Sequence, residues 1–246
     1  MNLNKISVTV LTKNSEKYIK ECLESVNEFG EVIILDNGSS DNTLEIAEKF
    51  ENVKIFKNEF IGFGPLKNLA CSFAINDWIF NLDSDETIDL SLIESIKKLD
   101  EKNINLVGFF YRKNYFKGKA VKFSGWNKDK VFRLYNRKKT GFKNVMVHES
   151  IKLNNMEVKK LNGFIKHYAV DEVTDFLKKI KRYSVLERDG LKKLSIFSIV
   201  FRSYFAFFKT YILKLGFLDG WRGILIAVSD FNGVFYKYIV KYAKSE

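Results

Sequence analysis

The sequence predicts an α/β protein in which a mostly parallel sheet carries helices on both faces, followed by C-terminal amphipathic helices. Three observations carry that expectation. Short β-branched runs alternate with helical patterns over the first hundred residues. Polar, turn-forming clusters follow the strands, at the edge where open α/β sheets collect their ligands. Beyond residue 190 the composition changes to basic and aromatic. The 246 residues, 46% hydrophobic with one proline, exclude a disordered, collagen-like or low-complexity chain and suffice for a sizeable core.

Residues 6–11 (Ile-Ser-Val-Thr-Val-Leu) read as the first strand and 15–28 as an amphipathic helix, a βα unit. Residues 31–36 form the second strand, and Ser40-Asp41-Asn42-Thr43 caps a helix running to about residue 50. Residues 53–56 make a short third strand. Gly62-Phe63-Gly64-Pro65 opens a helix through residue 74, with Pro65 in its first turn, and 78–82 is the fourth strand. A helix follows residue 90 and ends near 102. Strands at 106–111 and 131–135 are joined by a Gly- and Lys-containing loop whose length points to function. Residues 171–190 read as an amphipathic helix, and 193–243 as two or more aromatic helices split near 216–220. There is no internal repeat and no Pro- or Ser-rich linker, so the composition shift alone divides residues 1–190 from 191–246.

The 41 Lys and Arg against 30 Asp and Glu give a net charge of +11. Residues 191–246 hold nine of those cations, three of the acids and 14 of the 37 aromatics, a pattern suited to an anionic surface. Charges at Arg202 and Lys209 interrupt the apolar run 195–213, at about 2.5–3.5 kcal/mol each near a bilayer centre, so lying in the interface is expected rather than spanning. Packing of these aromatics on the preceding domain or a second subunit is the other outcome. The N-terminus leads directly into a strand without signal-peptide features, and Cys22 and Cys71 lie in apolar amphipathic stretches as buried thiols; both fit a cytoplasmic protein.

The first strand is followed by Thr12-Lys13-Asn14 and not by a glycine-rich phosphate loop, which argues against a dinucleotide-binding Rossmann protein or a P-loop NTPase. A divalent cation held by carboxylates is the usual substitute where phosphates must be neutralised. Asp83-Ser84-Asp85 follows the fourth strand, and alternation puts both carboxylates on one side, able to share a hard cation or divide it from a ribose hydroxyl. Alone, such a pair also reads as a helix cap. Asp36-Asn37-Gly38-Ser39-Ser40-Asp41 and Thr12-x-Asn14 put two further polar clusters on the same edge.

Taken in order and spacing, Val10-Leu11-Thr12-Lys13-Asn14, Leu35-Asp36-Asn37-Gly38-Ser39-Ser40-Asp41-Asn42-Thr43, Gly62-x-Gly64-x-x-Lys67-Asn68 and Leu82-Asp83-Ser84-Asp85-Glu86 resemble the family 2 glycosyltransferases. The resemblance implies a GT-A (Rossmann-like) fold over residues 1–190 and inverting transfer from a nucleotide-sugar donor. It implies that Thr12, Asn14 and Asp36 contact base and ribose, that Lys67 or Asn68 faces the nucleotide, that Asp83 meets the ribose or sugar, and that Asp85 binds Mn²⁺ or Mg²⁺ on the diphosphate. Gly125-Trp126-Asn127-Lys128-Asp129, Val131-Phe132-Arg133-Leu134-Tyr135, Val147-His148-Glu149, Ile165-Lys166-His167-Tyr168 and Gly216-Phe217-Leu218-Asp219-Gly220-Trp221-x-Gly223 are similar to the bacterial branch that adds glucose or a similar hexose to the lipopolysaccharide inner core.

Inverting transfer needs a general base for the acceptor hydroxyl. The Glu-Asp pair of many family 2 members is missing at its usual place; Glu149 is the first candidate and Asp129 the second. His167 reads as a third metal ligand, an acceptor contact or a satisfied core histidine. Arg133 and Arg137 are candidates for the leaving diphosphate or an acceptor phosphate, because a guanidinium fork matches phosphate geometry; a solvated strand face is their plain alternative. The expected partners are a nucleotide-sugar donor, a lipid-linked saccharide acceptor and the inner face of the cytoplasmic membrane. A polyprenyl-linked O-antigen or capsule intermediate, or a protein, is the alternative acceptor. The contrasting class, a nucleic-acid-binding protein, draws on the basic charge and interleaved aromatics; acids clustered at strand ends, which repel a polyanion, speak against it.

Overall fold

A computed structural model describes residues 1–127, 129–146, 149–186 and 194–243. The chain divides into two compact units, Met1–Arg112 with Lys130–His167, and Lys113–Asp129 with Tyr168–Glu246. The composition shift at residue 190 lies outside the described residues, and the second unit takes in 113–129 as well as the tail.

In the first unit, β1 (Ile6–Thr12), β2 (Glu31–Asp36), β3 (Val53–Lys57) and β4 (Trp78–Asp83) pair in parallel, connected through α1 (Ile19–Ser25), α2 (Thr43–Ala47) and α3 (Phe63–Ser72). Every residue of β1 and β2 is buried, as strands covered on both faces require. Thr12 stands opposite Asp36, and Leu11 opposite Asp83, so the polar strand ends share one edge. Beyond β4 come β5 (Glu86–Ile88), α4 (Leu90–Lys97), β6 (Leu106–Phe116), β7 (Lys119–Ala120), β8 (Asp129–Asn136) and β9 (Glu157–Val170). The strand order is β3-β2-β1-β4-β8-β6-β9-β5, with β7 on β6. Because β4 pairs with β8, and β5 with β9, antiparallel, the sheet is mixed. One core cluster centres on Val8, Val10, Ile34, Phe80 and Leu134; a second, containing Ile33, Cys71, Ile79, Tyr135, Phe142 and Ile151, brings α3 and the segment after β8 together. Cys22 and Cys71 are free and buried, and burial pushes both thiols up from their ordinary pKa.

In the second unit, Phe116, Val121, Val170, Phe176 and Ile226 form the core, with α5 (Val173–Leu186), α6 (Ile196–Phe208) and α7 (Trp221–Ala243). The Asp219 carboxylate accepts from the backbone N–H of Lys122 and Phe123, both at 3.0 Å, and from the Ser124 hydroxyl at 2.9 Å. Gly223 allows the start of α7 to touch the preceding turn: an added Cβ would lie 1.7 Å from the Gly216 carbonyl oxygen. The Gly216 to Gly223 motif is therefore a staple within this unit. The apolar stretches 196–213 and 221–243 are each long and apolar enough to cross a membrane by length and composition, and little of either is buried. On α6, Phe197, Phe201, Phe205 and Phe208 are all exposed, at the i, i+4 and i+3 spacing of one face.

Candidate active site

At the carboxyl edge of β2, the Asp36 side chain turns back on its own loop, accepting from the N–H groups of Gly38 at 2.9 Å and Ser39 at 3.0 Å and from the Ser39 hydroxyl. Asn14, in the left-handed region at φ 52°, joins the β1 and β2 ends: its side-chain Oδ1 accepts from Ser40 N–H at 2.8 Å, and its backbone N–H donates to Ser39 Oγ at 2.9 Å. Thr12 is 2% exposed, yet its hydroxyl has no hydrogen-bond partner among the described residues. Buried hydroxyls are rarely left so, and this one lies directly across from Asp36.

The Gly62-x-Gly64 pattern at the head of α3 has a physical reason. Gly62 sits at φ 107°, and the N–H groups of Phe63 and Gly64 donate to the carbonyls of Met146 and Val145, both at 3.1 Å. Segment 142–146 thus takes up helix-start donors that have no partner within the helix. It approaches so closely that a Cβ on Gly64 would lie 2.0 Å from the Lys143 carbonyl oxygen. Asn68 clamps the same segment, donating to the Phe142 carbonyl at 3.0 Å and to Asn144 Oδ1 at 2.9 Å and accepting from Phe142 N–H at 2.9 Å. A bridge between Phe142 and Ile151 closes it.

This docking delivers Glu149 to Lys67. The Lys67 ammonium, 2% exposed, lies 2.8 Å from Glu149 Oε1 and 3.0 Å from Asp83 Oδ1, over the Phe142 ring. Gly64→Ala is expected to displace residues 142–146, shift Glu149 from Lys67 and reduce turnover at least about tenfold, since angstrom-scale misplacement has effects of this size or larger where the shifted group acts in the reaction. Turnover by Gly64→Ala equal to the wild type would show that the close approach is dispensable.

Asp83 ends β4 among cations. Arg133 Nη2 donates to its Oδ2 at 2.6 Å, Lys67 holds the other oxygen, and Arg112 Nη1 lies 3.9 Å away. Burial works to raise the Asp83 pKa, but Arg133, Lys67 and Arg112 outweigh it and hold the carboxyl well below the ordinary aspartate range. Asp83 therefore stays ionised at neutral pH, and a third of its side chain remains open to solvent. Arg133 Nη1 donates to Asn81 Oδ1 at 2.7 Å, and Nη2 also to Glu86 Oε1 at 3.0 Å, while its Nε has no partner among the described residues. Burial opposes the Arg133 charge, yet Asp83 and Glu86 raise its pKa.

Ser84 and Asp85 form a turn between β4 and β5, so strand alternation does not apply to the aspartate pair and the two side chains go to different partners. Asp85, 40% exposed, has its Oδ2 3.4 Å from His167 Nε2, and the β5–β9 register puts His167 opposite Glu86. A carboxylate oxygen and an imidazole nitrogen suit Mn²⁺ or, less well, Mg²⁺. Among the described residues no third His, Cys, Asp or Glu joins them, so a cation here would draw its remaining ligands from diphosphate oxygens and water.

Two candidates have other duties. Arg137, expected near the leaving diphosphate or an acceptor phosphate, has its Nη1 donating to the carbonyls of Cys71 at 2.6 Å and Ala74 at 2.8 Å, closing the end of α3. Because β8 runs antiparallel to β4, with Asn136 opposite Trp78, Arg137 stands at the amino edge, about 20 Å of strand from Asp83. Asn68, expected to face the nucleotide, has its amide engaged by segment 142–151. Asp129 belongs to the second unit, where Asn114 donates to it at 3.3 Å. Lys128, Val147 and His148 lie outside the described residues. Sequence reasoning missed Glu86 and Arg112; a fully buried glutamate at the end of an Asp-x-Asp-Glu run gives no periodic signal.

Several known proteins resemble this chain. The profile described as Glycosyl transferase family 2 matches residues 7–160. An uncharacterized glycosyltransferase of Rickettsia typhi is 27% identical over 246 residues, covering 92% of this chain and 82% of the relative. The lipopolysaccharide core biosynthesis glycosyltransferase LpsC of Rhizobium meliloti is 24% identical over 246 residues, covering 95% and 89%. Staphylococcus aureus TarS, a poly(ribitol-phosphate) beta-N-acetylglucosaminyltransferase, is 40% identical over 97 residues, 35% of this chain and 17% of TarS. In a crystal structure of TarS the match has a TM-score of 0.51 at 20% identity, covering 87% of this chain and 45% of the solved one, a likeness of fold.

Proposed function

The chain belongs to the family 2 glycosyltransferases, and from that premise we propose that it transfers a hexose, with inversion, from UDP-glucose or a similar nucleotide sugar to a lipopolysaccharide or lipooligosaccharide core acceptor. One observation carries the reading: Lys67 joins Asp83 at the donor edge to Glu149, 3.0 and 2.8 Å from its ammonium. Such a bridge puts a carboxylate for the donor and a carboxylate for the acceptor hydroxyl in one constellation. The similarity to LpsC supports the acceptor class.

In this mechanism, Thr12, Asn14 and Asp36 bind base and ribose, and the unpartnered Thr12 hydroxyl gains a partner. Asp83, already oriented by Arg133 and Lys67, accepts a hydroxyl of the ribose or sugar. Glu149 takes the proton of the acceptor hydroxyl as its oxygen forms a bond to the anomeric carbon; the opposite bond, to the diphosphate oxygen, breaks and its electron pair leaves with UDP. A divalent cation held by Asp85 and His167 would neutralise charge on the departing diphosphate.

The assay is direct. Full-length protein is given UDP-glucose, UDP-galactose and UDP-N-acetylglucosamine with Mn²⁺, and either a truncated lipooligosaccharide core or a polyprenyl-diphosphate saccharide, with products read by mass spectrometry. Hexose added to the core supports the proposal. Transfer only to the polyprenyl acceptor moves the reading to a capsule or O-antigen intermediate, and no turnover of any nucleotide sugar overturns it.

We also propose that the protein lies peripherally on the cytoplasmic membrane face, through the exposed α6 stripe and nearby Arg202, Lys209 and Lys214. Binding to phosphatidylglycerol-containing vesicles is expected to weaken but persist as salt rises, because the electrostatic part is screened and the inserted aromatic area is not. Phe201→Ser with Phe205→Ser should abolish the salt-resistant part. Indifference of the wild type to anionic vesicles at low salt would contradict this.

A further inference from the structure

Glu86 opens β5, fully buried, and none of the chemistry assigned above uses it. Its carboxylate nevertheless joins the parts of the site. Oε1 accepts from Arg112 Nη1 at 2.8 Å and from Arg133 Nη2 at 3.0 Å; Oε2 accepts the backbone N–H of Asp83 at 3.0 Å. It thus ties the last residue of β4 to the first of β5, with Ser84 and Asp85 between, and it is the cross-strand partner of His167.

The charges make the arrangement specific. Lys67, Arg112 and Arg133 face Asp83, Glu86 and Glu149, three cations against three acids. Neutralising Glu86 would take from Arg112 its 2.8 Å contact and leave Arg133 Nη2 with Asp83 Oδ2, at 2.6 Å, as the carboxylate oxygen it holds. Arg133 would then bear more fully on the Asp83 oxygens that a donor hydroxyl needs.

We propose that Glu86 is a positioning residue of the donor site: it holds Arg112 and Arg133 so that Asp83 keeps acceptor capacity for the donor, and it fixes the turn that presents Asp85. This rests on the edge being a nucleotide-sugar site. Removing an outer partner of this kind typically weakens ligand or metal binding about 10–100-fold.

The test uses full-length protein, titrated with UDP in Mn²⁺ and assayed for KM and kcat with the active nucleotide sugar. Glu86→Gln is expected to weaken UDP binding and raise the donor KM about tenfold, with kcat changed less than about threefold. Glu86→Gln with Arg112→Gln restores the charge balance and should recover most of the lost affinity, which a packing role would not produce. Wild-type affinity in Glu86→Gln, or a double variant no better than the single, overturns the proposal. If Glu86→Gln fails to fold, Glu86→Asp keeps the charge but withdraws it by one methylene; unaltered UDP binding there overturns it equally. A wild type that does not bind UDP overturns both this proposal and the reading beneath it, whereas a binding wild type with an unaffected Glu86→Gln overturns this one alone.

Discussion

Glu149→Gln is expected to slow transfer by roughly 10²–10⁴, the usual contribution of a general base. The substitution preserves shape and removes the proton acceptor. Lys67 keeps its Asp83 partner at 3.0 Å, so donor affinity should survive. A fall in kcat with an unchanged donor KM is therefore the expected signature. Asp129→Asn is the matched comparison: Asp129 sits in the second unit with Asn114 as a partner, and its substitution should leave the rate far less affected. Should Asp129→Asn be the crippled variant while Glu149→Gln turns over, the base is Asp129 and the Lys67 bridge serves orientation alone.

The second large effect is expected at Asp85. Asp85→Asn keeps the turn between β4 and β5 but removes the charge that stands 3.4 Å from His167. Loss of several kcal/mol of charge stabilisation on the leaving diphosphate corresponds to at least about a hundredfold in rate. UDP affinity measured with Mn²⁺ should fall to the level measured without it, while thermal stability stays close to the wild type because Asp85 is 40% exposed. Normal Mn²⁺-dependent turnover by Asp85→Asn would remove both Asp85 and His167 from the metal assignment.

The parallel half of the sheet is legible because β1, β2 and β4 are short runs rich in β-branched and large apolar residues, closed by turn-forming polar residues, as strands buried on both faces tend to be. The antiparallel half is harder to read. In β9, Lys159, Lys160 and Lys166 interrupt the alternation, and Gly163 at φ 95° reads as a break, so a 14-residue strand shows no period-2 signal. That strand nevertheless brings His167 to the site. Arg137 misleads for a related reason: only the antiparallel direction of β8 reveals that four residues separate a site arginine from one at the opposite edge. The ion pairs of Lys67 connect positions 16 and 82 residues apart in sequence, and no local pattern encodes them. The Gly62-x-Gly64 spacing is the local trace of that long-range contact, since only glycine lets residues 143–146 lie against the start of α3.

The carboxyl edge formed by Thr12, Asp36, Asp83 and Asp85 is proposed here as a metal-assisted nucleotide-sugar site. Calorimetric titration of the full-length protein with UDP, with and without Mn²⁺, tests it most directly. Saturable one-site binding that requires Mn²⁺ and is lost in Asp85→Asn is the expected result. Absence of UDP binding under both conditions, together with RNA binding that falls steeply as salt rises, would contradict it.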